Sequence, residues 1–219
     1  MLKRRLFLIG TVFALIFSLA PANGTKAETL LANADAEAFI RDFGNRAITT
    51  LTEEGISDDA LQARFRKLFN EGFDVQGIGQ FVLGRHWRKA TPDERKTFLD
   101  LFETFIVQTY AQRFKHYSGE KFEVRGTEPQ ENSALMVISE VVQPETSESP
   151  PIRIDWRVAK GNSGYKVYDV VVEGVSMAIT QRSEFSSVIR QGGGQIQALL
   201  DALEKKNTEL ASNGGVATP

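Results

Sequence analysis

The sequence predicts an α+β fold, and three observations carry that prediction. Residues 35–117 place apolar side chains at helical spacing, residues 121–172 hold four runs of strand-forming residues separated by turn signals, and helical spacing returns after Gly174. Short connections between consecutive strands imply a four-stranded antiparallel meander.

In the first helical stretch, Asp35 to about Leu51 sets Phe39, Ile40, Phe43, Ala47, Ile48 and Leu51 on one stripe, with Asn33 placed to cap it. Ser57 caps a second helix through about Phe69 that turns Leu61, Phe65, Leu68 and Phe69 inward, and Asp74 caps a short third ending near Gly84. Thr91-Pro92-Asp93-Glu94 is a capping box with proline at the first helical position, so a long helix starts there and runs to about Tyr117. Its stripe of Phe98, Leu101, Phe102, Phe105, Ile106, Tyr110, Phe114 and Tyr117 is wide and aromatic. Such a face needs a large partner, and the sheet is the expected one.

The strands are read at Lys121–Arg125, Ala134–Val142, Ile152–Val158 and Tyr165–Val172. Gln143–Pro151 forms a long polar hairpin loop and Gly161-Asn162-Ser163-Gly164 a tight one. In the third strand Ile152, Ile154, Trp156 and Val158 alternate with Arg153, Asp155 and Arg157, which opens one face to water; the strands at Ala134 and Tyr165 lack that alternation. The run from Tyr165 to Ser176 is apolar on both faces with Asp169 in its middle, so its cover is either ordinary core or one wall of an apolar cavity. Beyond Gly174, Met177, Ile179, Phe185, Val188 and Ile189 mark a helix reaching the glycines at 192–194. Gln195 to about Lys205 marks a last helix presenting Ile196, Leu199, Leu200 and Leu203. The polar tail, residues 207–219, is expected to be disordered.

Lys3-Arg4-Arg5, the apolar stretch Leu6 to Ala20 and the small residues up to Ala27 read as a secretory signal peptide over residues 1–27, cut after Ala22 or Ala27. Its apolar run is shorter than the roughly 20 residues of a membrane-spanning helix, although an uncleaved anchor would look similar. Arg4-Arg5-Leu6-Phe7-Leu8 fits a twin-arginine signal as well as an ordinary basic start, so both that route and the Sec route are compatible. The expected location is a bacterial periplasm, with residues 28–206 as a single domain. Removing Lys3, Arg4, Arg5 and Lys26, with no acid lost, leaves 22 basic against 28 acidic side chains, a net charge near −6. That balance gives a nucleic-acid role no support. Zero cysteines means that stability comes from burial, and two histidines, His86 and His116, make a transition-metal site improbable; both are expected at the surface or its boundary.

Catalytic motifs are missing: the sequence has no G-x-S-x-G, no cysteine nucleophile, no H-E-x-x-H and no phosphate-cradling glycine loop. The one enzyme candidate is Asp169, an acid on a strand that an apolar pocket would desolvate, with Tyr110, Tyr117 or Tyr168 as oxyanion donors. A lone acid in a strand is equally a hydrogen-bonded structural residue.

Four segments together resemble the MlaC family of periplasmic phospholipid-shuttle proteins, also called toluene-tolerance auxiliary components. They are Phe81-Val82-Leu83-Gly84-Arg85-His86-Trp87; Thr91-Pro92-Asp93-Glu94-Arg95 opening the long helix; Tyr165 to Ser176; and Gln181-Arg182-Ser183-Glu184-Phe185. The likeness runs from the first helix to about Lys206 and is most specific in Lys166-Val167-Tyr168-Asp169-Val170 and Gly174-Val175-Ser176. Tyr165 departs from it, because the family often has tryptophan there.

What the resemblance implies is a twisted four-stranded antiparallel sheet of the nuclear-transport-factor-like kind, wrapped by helices around a deep apolar pocket. The implied cargo is a phospholipid whose acyl chains enter the pocket and whose head group stays outside. The implied partners are an outer-membrane lipoprotein complex and the MCE-domain subunit of an inner-membrane ABC transporter. No cofactor beyond the cargo and no catalysis are implied. A hopanoid-associated branch of the same family makes another membrane lipid an alternative cargo.

The energetics agree: exposing about 14 methylenes at about 0.8 kcal/mol each costs on the order of 11 kcal/mol, so a carrier must offer an apolar lining. From periodicity and position in the matching segments, the residues expected near the pocket are Phe81, Leu83, Trp87, Phe102, Phe105 and Tyr110 on the helical side. Tyr117, Val137, Ile154, Tyr168, Val170 and Val172 join them on and beside the sheet. Periodicity is compatible with plain core packing for any of them. Asp169 and Arg182 are expected to fix the sheet end to the following helix, and Arg85, Arg88 and Lys89 to offer basic contacts to a partner. Two other classes fit the same residues: a cone-shaped isomerase or hydratase working through Asp169, and a ligand-free adaptor that shows its apolar patch to a protein.

Overall fold

The computed structural model describes residues 26–117, 119–144 and 149–212. The signal-peptide reading therefore lies outside the described residues up to residue 25, as do the centre of the long hairpin loop and the tail from residue 213.

Helix α1 (Lys26–Leu51) begins well before Asn33, which lies inside it rather than capping it. Leu30 and Leu31 are exposed, so propensity rather than packing carries these first turns: the run from Ala27 to Ala34 has no glycine or proline. Helix α2 (Asp58–Gly72) is capped as predicted, Ser57 Oγ accepting from the Ala60 N–H at 3.3 Å. Helix α3 (Val75–Leu83) is capped by Asp74, which accepts from the Gly77 N–H at 2.9 Å. Helix α4 (Pro92–Ala111) opens on the full capping box, with Glu94 N–H to Thr91 Oγ1 at 3.2 Å and Thr91 N–H to Glu94 Oε2 at 2.7 Å. It tightens into a 3₁₀ turn, Gln112–His116, before Tyr117.

The sheet has five strands, one more than predicted: β1 (Lys121–Pro129), β2 (Leu135–Val142), β3 (Ile152–Gly161), β4 (Gly164–Val172) and the short β5 (Val175–Ser176). They lie antiparallel in sequence order, which makes β3 the middle strand. The extra strand comes from the turn Glu173-Gly174, whose φ values of 48° and 80° fold the chain straight back on β4. In register, Val137 faces Trp156 and Trp156 faces Val170, while Ser139 faces Ile154 and Ile154 faces Val172.

A bulge explains the two-faced apolar strand. Arg157 pairs with Asp169 and Val158 with Val167, leaving Tyr168 as the extra residue, so Val167 and Tyr168 both serve the inner face. The charged face of β3 is not simply wet, as its alternation had suggested. Asp155 is buried against Arg153 at 3.0 Å, and Arg157 reaches the buried Asp169 at 3.0 Å, so ion pairing makes that burial tolerable.

Helix α5 (Met177–Gln191) starts at Ser176, whose Oγ accepts from the Ile179 N–H at 3.1 Å. Helix α6 (Gln197–Ser212) overturns the expected disorder from Asn207 as far as Ser212. Leu203, Asn207 and Leu210 continue one buried stripe, and Asn207 Nδ2 donates to the Leu101 carbonyl at 3.0 Å, an anchor that polar composition conceals. Among the described residues, no helix is long and apolar enough to cross a membrane.

The aromatic stripe of α4 does not face the sheet alone. Phe98, Phe102 and Phe105 set their rings against Phe185 of α5, in a cluster with Leu199, Leu200 and Leu203 of α6. Helix α6 thus packs along α4, while α5 joins α3 and α6 to strand β4. A second cluster joins Ala36 and Ile40 of α1 to Leu135, Val137, Val158 and Val167 of the sheet, and a third joins α1, α2 and the end of α4.

Candidate functional site

Between these clusters the inner face of the sheet and the helices enclose an open cavity of about 800 Å³, toward the upper end of the range usual for ligand pockets. Helices α1 and α2 supply Phe43, Ala47, Ile48, Leu51, Phe65, Leu68 and Phe69, followed by Phe73, and α3 supplies Ile78 and Val82. From α4 and its 3₁₀ end come Phe102, Ile106, Tyr110, Phe114 and, next, Tyr117. The sheet adds Phe122, Val141, Ile154, Trp156, Tyr168, Val170 and Val172, and the start of α5 adds Met177 and Ala178.

Hydrogen bonds fix the wall where it carries polar atoms. Trp156 Nε1 donates to Ser139 Oγ at 2.9 Å and that hydroxyl donates to the Ile154 carbonyl at 2.6 Å, which satisfies the indole and locks its ring. The ring meets Phe43 and Phe122 edge-on, both at 6.1 Å between centroids, and Phe73 at 6.5 Å. Tyr110 directs its hydroxyl at Met177 Sδ, 3.9 Å away, and burial pushes its phenol pKa up, as it does for Tyr168. Tyr117 donates to the Glu120 carbonyl at 2.6 Å. The Tyr110 and Tyr168 phenols are therefore neutral wall elements at ordinary pH.

Both carboxylate oxygens of Asp169 are engaged within the protein. It is buried and accepts from Arg157 at 3.0 Å, Ser176 Oγ at 2.6 Å and the Ala178 N–H at 3.0 Å, which ties β4 to the start of α5. Arg182 does a different job from the one expected. Its guanidinium lies over the Phe81 ring at 4.8 Å and against Gly84, joining α5 to α3. Gly84 has φ +56°, which favours glycine, and a Cβ there would come within 3.1 Å of Arg182 Nε, so any other residue would also have to push that side chain aside.

Of the residues expected at the pocket, Phe102, Tyr110, Tyr117, Ile154, Tyr168, Val170 and Val172 line the cavity. Phe81, Leu83, Trp87, Phe105 and Val137 do not. Leu83 and Val137 are buried core, and Phe105 packs on Phe185. Phe81 and Trp87 border a separate hollow of about 300 Å³ on the other side of α3, with Arg85, Arg88 and Arg182. His86 is buried rather than peripheral; burial, with Arg85 and Lys89 nearby, lowers its pKa. His116 is exposed, as expected. Sequence reasoning missed the α1 and α2 phenylalanines, whose stripe reads equally as helix-on-helix core. It also missed Trp156, which the alternation that selected Ile154 places on the same face. Among the described residues, no cluster of three or more histidine, cysteine or acidic side chains could hold a metal.

The fold and site define an α+β domain built around an open apolar cavity. The family model described as MlaC protein matches residues 41–205, and the chain belongs to that family. Its curated relatives include the intermembrane phospholipid transport system binding protein MlaC of Haemophilus influenzae, 26% identical over 140 residues, which are 64% of this chain and 63% of the relative. Another is the toluene tolerance protein ttg2D of Pseudomonas putida, 20% identical over 144 residues, 65% of this chain and 66% of the relative. The matches therefore span somewhat less than two thirds of those proteins. Among solved structures, the phospholipid-binding protein from Ralstonia solanacearum, determined in complex with a phospholipid, shares the fold with a TM-score of 0.72 at 24% identity, covering 81% of this chain and 99% of its own.

Proposed function

We propose that this protein is a periplasmic phospholipid carrier, the soluble component of an MCE-type ABC transport system. It shuttles lipid between an outer-membrane lipoprotein complex and an inner-membrane MCE-domain subunit and so maintains lipid asymmetry. The observation that supports this reading is the cavity of about 800 Å³ walled by aromatic and aliphatic side chains. Such a lining offsets the cost of taking acyl chains out of a bilayer, about 0.8 kcal/mol per methylene, without needing a catalytic group. Phe43, Phe73, Phe122, Trp156, Val170 and Val172 contact the chains, together with Tyr110 and Tyr117. The hollow with Arg85, Arg88 and Arg182 is the basic surface offered to partners. The family membership and the printed names of the relatives point the same way.

The test is organic extraction of the purified protein followed by mass spectrometry. A two-chain phospholipid at about one per protein is expected, and Val170→Glu, which puts a carboxyl group into the wall, abolishes it while the fold persists. An empty extract from the unaltered protein, or lipid fully retained in V170E, refutes the carrier reading.

A further inference from the structure

The helical wall of the cavity is built from two separate parts of the core. Ile78 and Val82 of α3, Phe102 and Ile106 of α4, Ala178 of α5 and, beside them, Tyr168 belong to or pack on the first cluster. Phe43, Ala47 and Leu51 of α1, Phe65 and Leu68 of α2, and Phe114 belong to or pack on the third. Among the described residues these two clusters share no buried member, and Phe73 is the one partly buried side chain packed against both. It packs on the second cluster, between α1 and the sheet, as well. Because Phe73 also lines the cavity, its ring stands where the two banks of the wall meet.

That ring is a fixed post. The Phe73 N–H donates to the Phe69 carbonyl at 2.9 Å, the residue bridges Val167 of β4, and the next N–H, of Asp74, donates to the Val167 carbonyl at 2.9 Å. The ring centroid lies 4.8 Å from that of Phe69, 5.8 Å from Phe43 and 6.5 Å from Trp156, so swinging the side chain aside forfeits three aromatic contacts. Gly72 permits this closeness, since a Cβ there would fall 2.3 Å from the Phe43 ring. An acyl chain laid along one bank leaves the apolar lining of the other without partner atoms, and a second chain gains more by filling that bank than by crowding beside the first. We infer that Phe73 partitions the cavity, so that the two acyl chains of one lipid lie in different banks, one against α1 and α2 and the other against α3 and α5. A chiral glycerol in an asymmetric cavity assigns each chain its own bank. The inference rests on the carrier reading and adds to it the arrangement of the cargo and the residue that sets it.

The test loads the purified protein with two phosphatidylethanolamines that differ only in which of the two acyl chains ends in a photoactivatable diazirine. Each complex is illuminated, and the attachment points are mapped by mass spectrometry of proteolytic peptides. In the unaltered protein the label on one chain is expected to attach within residues 43–69 or at Phe114, and the label on the other within residues 78–106 or at Tyr168 or Ala178, each absent from the opposite bank. Phe73→Ala removes the post, and each label then reaches both banks. Phe73→Leu, the milder truncation, does so in part and serves if circular dichroism shows F73A unfolded. Both labels in the same bank of the unaltered protein, or labels still fully separated in the folded variant, overturns the partition while leaving the carrier standing. No labelled lipid bound by the unaltered protein overturns the carrier reading and this inference with it.

Discussion

Replacing Asp169 separates a structural acid from a catalytic or cargo-binding one. Its side chain is 3% exposed, while that of Arg157 is 32% exposed. In Asp169→Asn the remaining carbonyl oxygen still accepts from the Ala178 N–H at the start of α5, and the Ser176 hydroxyl can rotate to accept. What is lost is the counter-charge of Arg157. A fully buried pair broken on one side costs about 3–5 kcal/mol, and partial hydration of this guanidinium lowers that to roughly 2 kcal/mol. Asp169→Ala also strands the Ala178 N–H and the Ser176 hydroxyl, raising the loss to about 4 kcal/mol. In a domain of this size each kcal/mol lowers Tm by roughly 2–4 °C, so D169N melts about 4–8 °C lower and D169A about twice as far. Thermal unfolding followed by circular dichroism reads the loss, and extraction with mass spectrometry reads the bound lipid on the same samples at 20 °C. Both variants are expected to keep their lipid. If D169N melts like the unaltered protein yet comes out empty, the residue acts in the cavity and the reasoning here fails.

Two further predictions follow from the fold. Leu210→Ala removes a side chain that is 1% exposed on the far end of α6 and is expected to cost about 3 kcal/mol in denaturant unfolding; no change in midpoint would return residues 207–212 to disorder. His86 is held below the usual histidine pKa by burial, assisted by Arg85 and Lys89, so the unfolded chain takes up a proton first as pH falls. Stability is therefore complete above the unfolded value of about 6.5 and declines as pH drops through it. Tm should fall more between pH 7.5 and 5.5 for the unaltered protein than for His86→Asn, and parallel curves would contradict this.

Local chemistry made much of the architecture legible in the sequence. The Thr91-Pro92-Asp93-Glu94 box and the Ser57 and Asp74 caps each act within a few residues, and each stands where it was read. The fifth strand escaped notice because a two-residue strand has no periodicity to read, and the Tyr168 bulge because it depends on the register of a partner strand. Along the Pro92 helix, seven residues of spacing separate Phe98 from Phe105, and nothing in that spacing distinguishes them from Phe102 or Tyr110. Only packing assigned Phe98 and Phe105 to α5 and α6 and turned Ile106 and Tyr110 toward the cavity.

The sequence by itself determined which side chains must leave water, and hence the helices, the meander and the apolar character of whatever lies between them. Whether facing apolar surfaces close into solid core or stand apart was decided by tertiary structure. Helix α6 packs along α4, α5 joins α3, α6 and β4, and the Phe43, Phe73, Phe122 and Trp156 rings meet edge-on between the helices and the strands. Those contacts join residues far apart in the chain, and burial is non-directional: it drives each stripe inward without specifying what it meets there.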